Sequence, residues 1–533
     1  MKINKIVIKD WLNFKPYNSH SKVDIQFLAV ANQLNTVLQE ISFLKSELGY
    51  VETDLKELSI FLTCYLEDLV SDTNIWNTFI SIHKEQYKKE LPFYNLKYYT
   101  TGEVNKVDIQ FLIWYFFNLK MPERFLSPYD EYLDIIAIQV FEILDYEYEY
   151  VEENYQLNNY FAFNDNSDYY ETRRHIQKIL FESYLFKIDA EKKLKQEIAK
   201  NLKDITNDDT FKTRIINSVT DELTISNCTK LLALTGKEWL AENLGKKNKL
   251  YTTIKNTSKK ISSWFLYKGE NEKYYHFQHI ASDVLFNLTK ESFSVKYELS
   301  DDYIYYIEMI NWNNEWTFSG ITFNKKFDAN LILDEKNDMV NIRIGNQFRK
   351  NEKEKIANVL KNQQTIFIKL FKSLIVFVSG DNLQATLDSF MNYHNTSLSK
   401  SEEEAQNKKN ESKKNLIKKG YFGEDNNLGN IQNGNFVIFF NPISGIELYN
   451  NICDIFPDKE NPFYKGENVN NIKMFLFNDQ YSKEISNYFI DNYARKLDFF
   501  KNGTGKKYLS DFDFLLRFWK TNKYNAEPTI TLI

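Results

Sequence analysis

The chain has 533 residues, 67 Lys+Arg against 73 Asp+Glu for a net charge of −6, and 43% hydrophobic residues. That length and apolar content describe a globular protein of about three domains and exclude a disordered chain. With 35 Tyr and 42 Phe but only 8 Pro and 16 Gly, large packing side chains are plentiful and turn formers scarce, which favours helices over an all-β fold.

Ile6-Val7-Ile8 reads as a short strand. Apolar residues at threes and fours from Ile25 to Leu44, stopped by Gly49, predict a long amphipathic helix. A second helix starts near Asp54 and runs through Leu69, and Trp76 to Ile80 continues the helical pattern. Val107 to Phe117 is apolar nearly all round, which predicts the central buried helix of an all-α domain with Asp108 capping its first turn. Tyr129 to Tyr150 forms one more helix and leads into Asp145-Tyr146-Glu147-Tyr148-Glu149-Tyr150-Val151-Glu152-Glu153. This run reads either as a docking site for a basic partner, or charge mimic of nucleic acid, or as a solvated helix face whose tyrosines pack inward; the second reading is preferred. Residues 1–170 hold 14 Lys+Arg and 26 Asp+Glu, so the front of the molecule is strongly acidic.

Residues 171–205 predict a charged helix, on which Glu171 and His175 share a face without making a metal site. From Ser262 the character changes to short runs rich in β-formers: Trp264 to Tyr267, Tyr274 to Ile280, Val284 to Phe286, Tyr303 to Ile307 and Trp316 to Phe323. These predict a small antiparallel β unit, a barrel or curled sheet. His276 and His279, three apart on a strand, point to opposite faces and cannot pair on a metal. Asn313-Asn314 fits a hairpin tip, with Trp312 and Trp316 flanking it as an aromatic surface for a base or peptide, or as a cross-strand packing pair.

Past Lys353 a helix leads to Leu374 to Asp381 and a further helical segment. The order apolar run, turn, helix recurs at Phe436 to Tyr449 and, more loosely, at Ile472 to Asp479, which predicts three strand-turn-helix units with Thr529 to Leu532 as a last strand. Ser397 to Asn433 is rich in Lys, Glu, Asn, Ser and Gly and poor in hydrophobic residues, so it reads as a mobile charged insertion. The expected fold class is α+β, multi-domain. Its parts are an acidic helical domain at 1–170, a helical segment at 171–260, an antiparallel β unit at 261–350, and an α/β domain of 351–394 plus 435–533 interrupted by the insertion at 395–434.

Strand ends facing helix N-termini are where α/β folds bind anions. The candidate ligand-binding residues are therefore Ser379 and Gly380 in one unit and Asn441, Ser444 and Gly445 in the next, although the same residue types also serve as plain N-caps. Gly503-Thr504-Gly505-Lys506-Lys507 lacks the first glycine and the Ser/Thr of a phosphate loop. No GxSxG, HExxH or paired His/Cys nucleophile signature occurs, so no catalytic residue, cofactor or metal is indicated and the question of enzymatic activity stays open. Cys64, Cys228 and Cys453 are too far apart for zinc or disulfide motifs, and no apolar run reaches the ~18 residues of a membrane span. A soluble cytoplasmic protein is expected.

Taken together, Ile8 to Trp11, Leu91 to Tyr94, Asp108 to Trp114, Trp312 to Gly320, Asn441 to Gly445, Phe456 to Tyr464 and Phe512 to Trp519 resemble a family of uncharacterised bacterial proteins found mainly among Bacteroidota. The resemblance spans nearly the whole chain and implies no activity, cofactor or catalytic residue. The reading preferred from sequence is an interaction or regulatory protein with a protein partner, of a sort suited to anti-phage defence. One alternative is an enzyme or sensor binding a nucleotide or other phosphate-bearing ligand at the α/β domain. The other is single-stranded nucleic-acid binding through the β unit, which the absence of a dense Lys/Arg patch does not favour.

Overall fold

A computed structural model describes residues 4–203, 209–293, 299–399 and 434–528. The expected insertion lies almost entirely outside these residues, as does the expected last strand at Thr529 to Leu532. The chain divides in sequence into two compact units, the first ending at Asn346 and the second beginning at Gln347. The architecture is α+β: helices first, then a central sheet, then a mixed strand and helix region.

The first unit opens with α1 (Ile8–Leu12), a helical turn where a strand was expected, because Asp10 accepts the Val7 amide and stabilises the helix start. The long amphipathic helix is α2 (Lys22–Glu40), broken at Ile41 before α3 (Ser42–Ser46). Helices α4 (Glu52–Val70), α5 (Ile75–Tyr87), α6 (Lys106–Lys120) and α7 (Glu131–Tyr148) complete the bundle. Every residue of α6 from Asp108 to Leu119 is buried, so it is the central helix its all-round apolarity predicts. Phe111, Trp114 and Tyr115 on α6 pack with Phe61, Trp76, Phe79 and Phe93 in one aromatic core.

Helices α8 (Tyr155–Phe161), α9 (Tyr169–Gln177), α10 (Tyr184–Leu202), α11 (Asp209–Ser226), α12 (Gly236–Leu244) and α13 (Tyr251–Lys255) lead into the sheet. Strands β1 (Ile261–Glu270), β2 (Tyr274–His279), β3 (Leu285–Thr289), β4 (Tyr303–Trp312) and β5 (Glu315–Lys326) close a barrel in the order β1-β2-β3-β5-β4. All neighbours are antiparallel except β3 and β5, which meet in parallel at Leu288 and Trp316. Phe265, Phe277, Phe286 and Tyr305 fill the interior. Asn313 and Asn314 both take positive φ at the β4–β5 tip, as a two-residue turn between twisted strands demands. Two short helices, α14 (Ala329–Asn337) and α15 (Met339–Asn346), end the unit.

In the second unit α16 (Glu352–Phe371) precedes β6 (Ile375–Ser379) and α17 (Gly380–Ser399), the expected strand-turn-helix. The other two expected repeats differ. Phe436 to Tyr449 folds as a hairpin, β7 (Asn435–Asn441) and β8 (Gly445–Asn450), giving an antiparallel sheet β6-β7-β8. Gly445, at φ +80, supplies the backbone turn after Pro442-Ile443-Ser444. Ile472 to Leu476 lies within a helix, α18 (Val469–Leu476), whose start is capped by Asn468. Helices α19 (Lys483–Tyr493), α20 (Asp498–Lys501), α21 (Gly505–Tyr508), α22 (Phe512–Trp519) and α23 (Thr521–Tyr524) follow. The sheet is covered on both faces, which explains why β7 is a continuous apolar run. Phe436, Ile438 and Phe440 pack with Phe367, Leu387 and Phe390 on one side, and Phe439 meets Tyr488 on the other.

Candidate functional site

The polar groups of the β7–β8 turn converge on one carboxylate, that of Glu447. Asn441 Nδ2, Ser444 Oγ and Tyr449 Oη each donate to it at 2.8 Å, and Ser482 Oγ donates at 2.7 Å. Ser482 is the N-cap of α19, so Glu447 stands at a helix N-terminus, where negative charge is favoured. An anion is held beside the expected residues, and it belongs to the protein. Asn441 Nδ2 also reaches Glu484 Oε2 at 3.3 Å; burial raises the pKa of Glu484, and its buried Oε1 makes no hydrogen bond, with Lys483 Nζ 3.9 Å away. A phosphate approaching Asn441, Ser444 or Gly445 would meet two carboxylates and donors already engaged. In the preceding unit Ser379 Oγ accepts from Asn382 Nδ2 at 3.1 Å, and the Gly380 amide donates to the Gly434 carbonyl at 2.7 Å. Ser379 pairs with Asn435, at the opposite end of β7 from Asn441, so the two candidate sets lie at opposite ends of the sheet. Nearby, the fully buried Lys520 donates to the Phe475, Asn478 and Tyr481 carbonyls, and burial lowers its pKa to about 7.

On the barrel, Trp312 pairs across the hairpin with Glu315 and Trp316 with Asn311, so the two indoles lie on opposite faces of the ribbon. Trp312 packs on Tyr169, and Trp316 meets Phe286 edge-on at 4.8 Å. They form neither a joint platform nor a cross-strand pair. Five-stranded Greek-key barrels bind oligonucleotides or oligosaccharides on the outer face of their second and third strands, but fold alone does not assign function. Residues 261–326 hold six Lys against nine Asp+Glu, and beside that face Lys273 pairs with Glu315 and Lys290 with Glu270. Phosphate attraction is weak there. His276 bonds Asn287 at the surface, while His279 is buried between Ser263 and Ser282, and burial lowers its pKa to about 4. The strand alternation thus separates the two histidines as expected.

The helical core holds a buried ion pair that sequence reasoning missed. Lys15 Nζ contacts Glu67 and lies 3.5 Å from Cys64 Sγ; Asn154 Nδ2 donates at 2.8 Å to both Glu67 and Tyr17. Burial pushes the Cys64 thiol up to about 12, which keeps it from acting as a nucleophile. A cavity of about 20 Å³ beside Lys15, Glu67, Asp68, Thr73 and Tyr184 has room for one or two waters and no substrate. Asp108 does not cap α6: its Oδ2 accepts from Tyr65 Oη at 2.8 Å and from Asn105 Nδ2 at 3.4 Å, and the Trp76 and Tyr99 side chains also stabilise its carboxyl. Glu171 and His175 are likewise occupied separately, Glu171 by the Asp168 amide and His175 by the Ala162 carbonyl.

The outer face of α7 departs most from expectation. Leu133, Ile136, Ala137, Val140 and Leu144 are buried on its inner side. On the other side Ile135 is 51% exposed, Ile138 41%, Tyr146 62% and, just past the helix end, Tyr150 66%. The tyrosines at 146 and 150 therefore do not pack inward; their rings lie against each other at 4.8 Å, and only Tyr148 turns in, donating to the Gly102 carbonyl. Glu131, Glu142, Asp145 and Glu149 share this exposed side, and none has an ion-pair partner among the described residues.

Residues 5–294 match the family model described as protein of unknown function (DUF3843). The chain belongs to that family. The matched region takes in the whole helical bundle, including α7, and the first three barrel strands; the barrel closes only with β4 and β5 beyond it. No curated protein and no solved structure matches the chain. Among the described residues no helix is long and apolar enough to cross a membrane, and no group of three or more His, Cys, Asp or Glu is placed to hold a metal ion.

Proposed function

We propose that this DUF3843 protein acts by binding a protein partner, with the outer face of α7 as the contact surface. The observation that supports this reading most is the exposure of Ile135, Ile138, Tyr146 and Tyr150 on one side of a helix whose other side already fills the core. Apolar and aromatic side chains gathered in water and rimmed by polar groups mark interaction surfaces. A regulatory or defence role would reach the cell through that partner. The carboxylates around Asn441 weigh against a phosphate-bearing ligand there, and the charge of the barrel weighs against nucleic acid.

The test is co-purification from the native host, comparing wild type with the double variant Ile135→Ser/Ile138→Ser. A discrete partner retained by wild type and lost by the variant, with the melting temperature unchanged, is the expected result. A small-molecule turnover abolished by Asn441→Ala or Ser444→Ala would overturn the reading.

A further inference from the structure

We infer that the partner surface recognised by α7 is a cationic amphipathic helix. This rests on the interaction reading above and adds the chemistry of the partner. The exposed positions Glu131, Ile135, Ile138, Glu142, Asp145 and Glu149 follow one another at steps of four and three. That is the spacing of a coiled-coil seam, the stripe against which a second helix packs at a shallow angle. α7 therefore carries two seams, an inner one used in the bundle and an outer one with no helix on it among the described residues.

The composition of the outer seam selects its occupant. Ile135 and Ile138 supply an apolar centre, and carboxylates stand on both sides of it along the helix. A second copy of the chain would set Glu131, Glu142, Asp145 and Glu149 against one another in either direction, since the seam holds no cation, and like charges in an interface are costly. Nucleic acid and anionic lipid are repelled for the same reason. A helix with apolar residues facing Ile135 and Ile138 and Lys or Arg facing the carboxylates satisfies every position. The Tyr146 and Tyr150 rings at the end of the seam offer faces to a terminal cation. The 18 residues of α7 give a seam about 27 Å long, which calls for a partner helix of similar length.

The test uses the full-length protein and a synthetic helical peptide with Leu at a and d positions and Lys elsewhere, set against an unstructured oligolysine of equal charge. Wild type is expected to bind the helical peptide, and more weakly as salt is raised. Ile135→Ser/Ile138→Ser and Glu142→Lys/Glu149→Lys are each expected to weaken binding by at least about tenfold, and oligolysine to bind at least about tenfold less tightly. All four positions are exposed, and a thermal melt of each variant checks its fold. Absence of peptide binding, binding unchanged in either variant, or oligolysine binding as tightly as the helix would overturn the inference. If native-host co-purification shows a partner that depends on Ile135 and Ile138 while the helical peptide does not bind, the helix inference fails and the interaction reading stands.

Discussion

A carboxyl group buried in a helical core holds its proton, and Asp108 is such a group. Burial outweighs the hydrogen bonds from Tyr65, Trp76, Asn105 and Tyr99 and raises its pKa from 3.8 to about 7. The folded state thus binds the proton more tightly than the unfolded state, so the stabilisation is complete below the unfolded value and is lost as pH rises through the folded one. Asp108→Asn keeps an acceptor for Tyr65 and removes the charge. Unfolding measured across this range should show the variant gaining on wild type as pH rises, by up to about 4 kcal/mol; a constant difference would contradict the assignment. Sequence located Asp108 in the first turn of α6 but misjudged its role, because its partner Tyr65 lies 43 positions away and only tertiary packing joins them. Gly320 is a second residue under strict constraint. It sits at φ +128, and a Cβ there would enter the Glu308 carboxylate, which Lys260 and the Ile321 amide hold in place. Gly320→Ala is expected to cost about 2 to 4 kcal/mol in denaturant unfolding; a loss below about 0.5 kcal/mol would mean that Glu308 can move aside.

Among the elements, periodicity revealed α2 and α7, which bury one side, and length with all-round apolarity revealed the central helix α6. It failed at β8, where Ser444-Gly445 was read as a helix start. The alternation of Ile446, Glu447, Leu448 and Tyr449 was the available signal, and a three-residue turn, Pro442-Ile443-Ser444, followed by Gly445 at positive φ accounts for the same letters. Ile472 to Phe477 was ambiguous for another reason: a short apolar run suits a strand or a buried helix equally, and the Asn468 cap decides for the helix. The hairpin matters because Glu447 fastens it to the start of α19. Glu447→Ala strands four donors and should lower stability by about 2 to 4 kcal/mol in urea or thermal unfolding. Inorganic phosphate should not raise the melting temperature of wild type, since a ligand bound only by the native state would do so. A clear phosphate-dependent rise would restore the anion reading at Asn441 to Gly445.

Across the whole molecule, composition foretold a helix-rich chain, the order of its apolar runs foretold the α+β class, and the structure puts part of the acidity of residues 1–170 on one exposed helix side. Burial cannot be read from an acidic, tyrosine-rich run alone: Tyr146, Tyr148 and Tyr150 each follow an acidic residue, yet one turns in and two stay in water. Their arrangement follows from how α7 rolls against the bundle, a property of the assembled core. The most direct test of the contact surface is site-specific photo-crosslinking in the native host, from Ile138 on α7 and from the exposed Lys195 on α10. A discrete protein adduct is expected from position 138 and none from 195; equal adducts from both positions, or none from 138, would contradict the assignment of α7 as the contact surface.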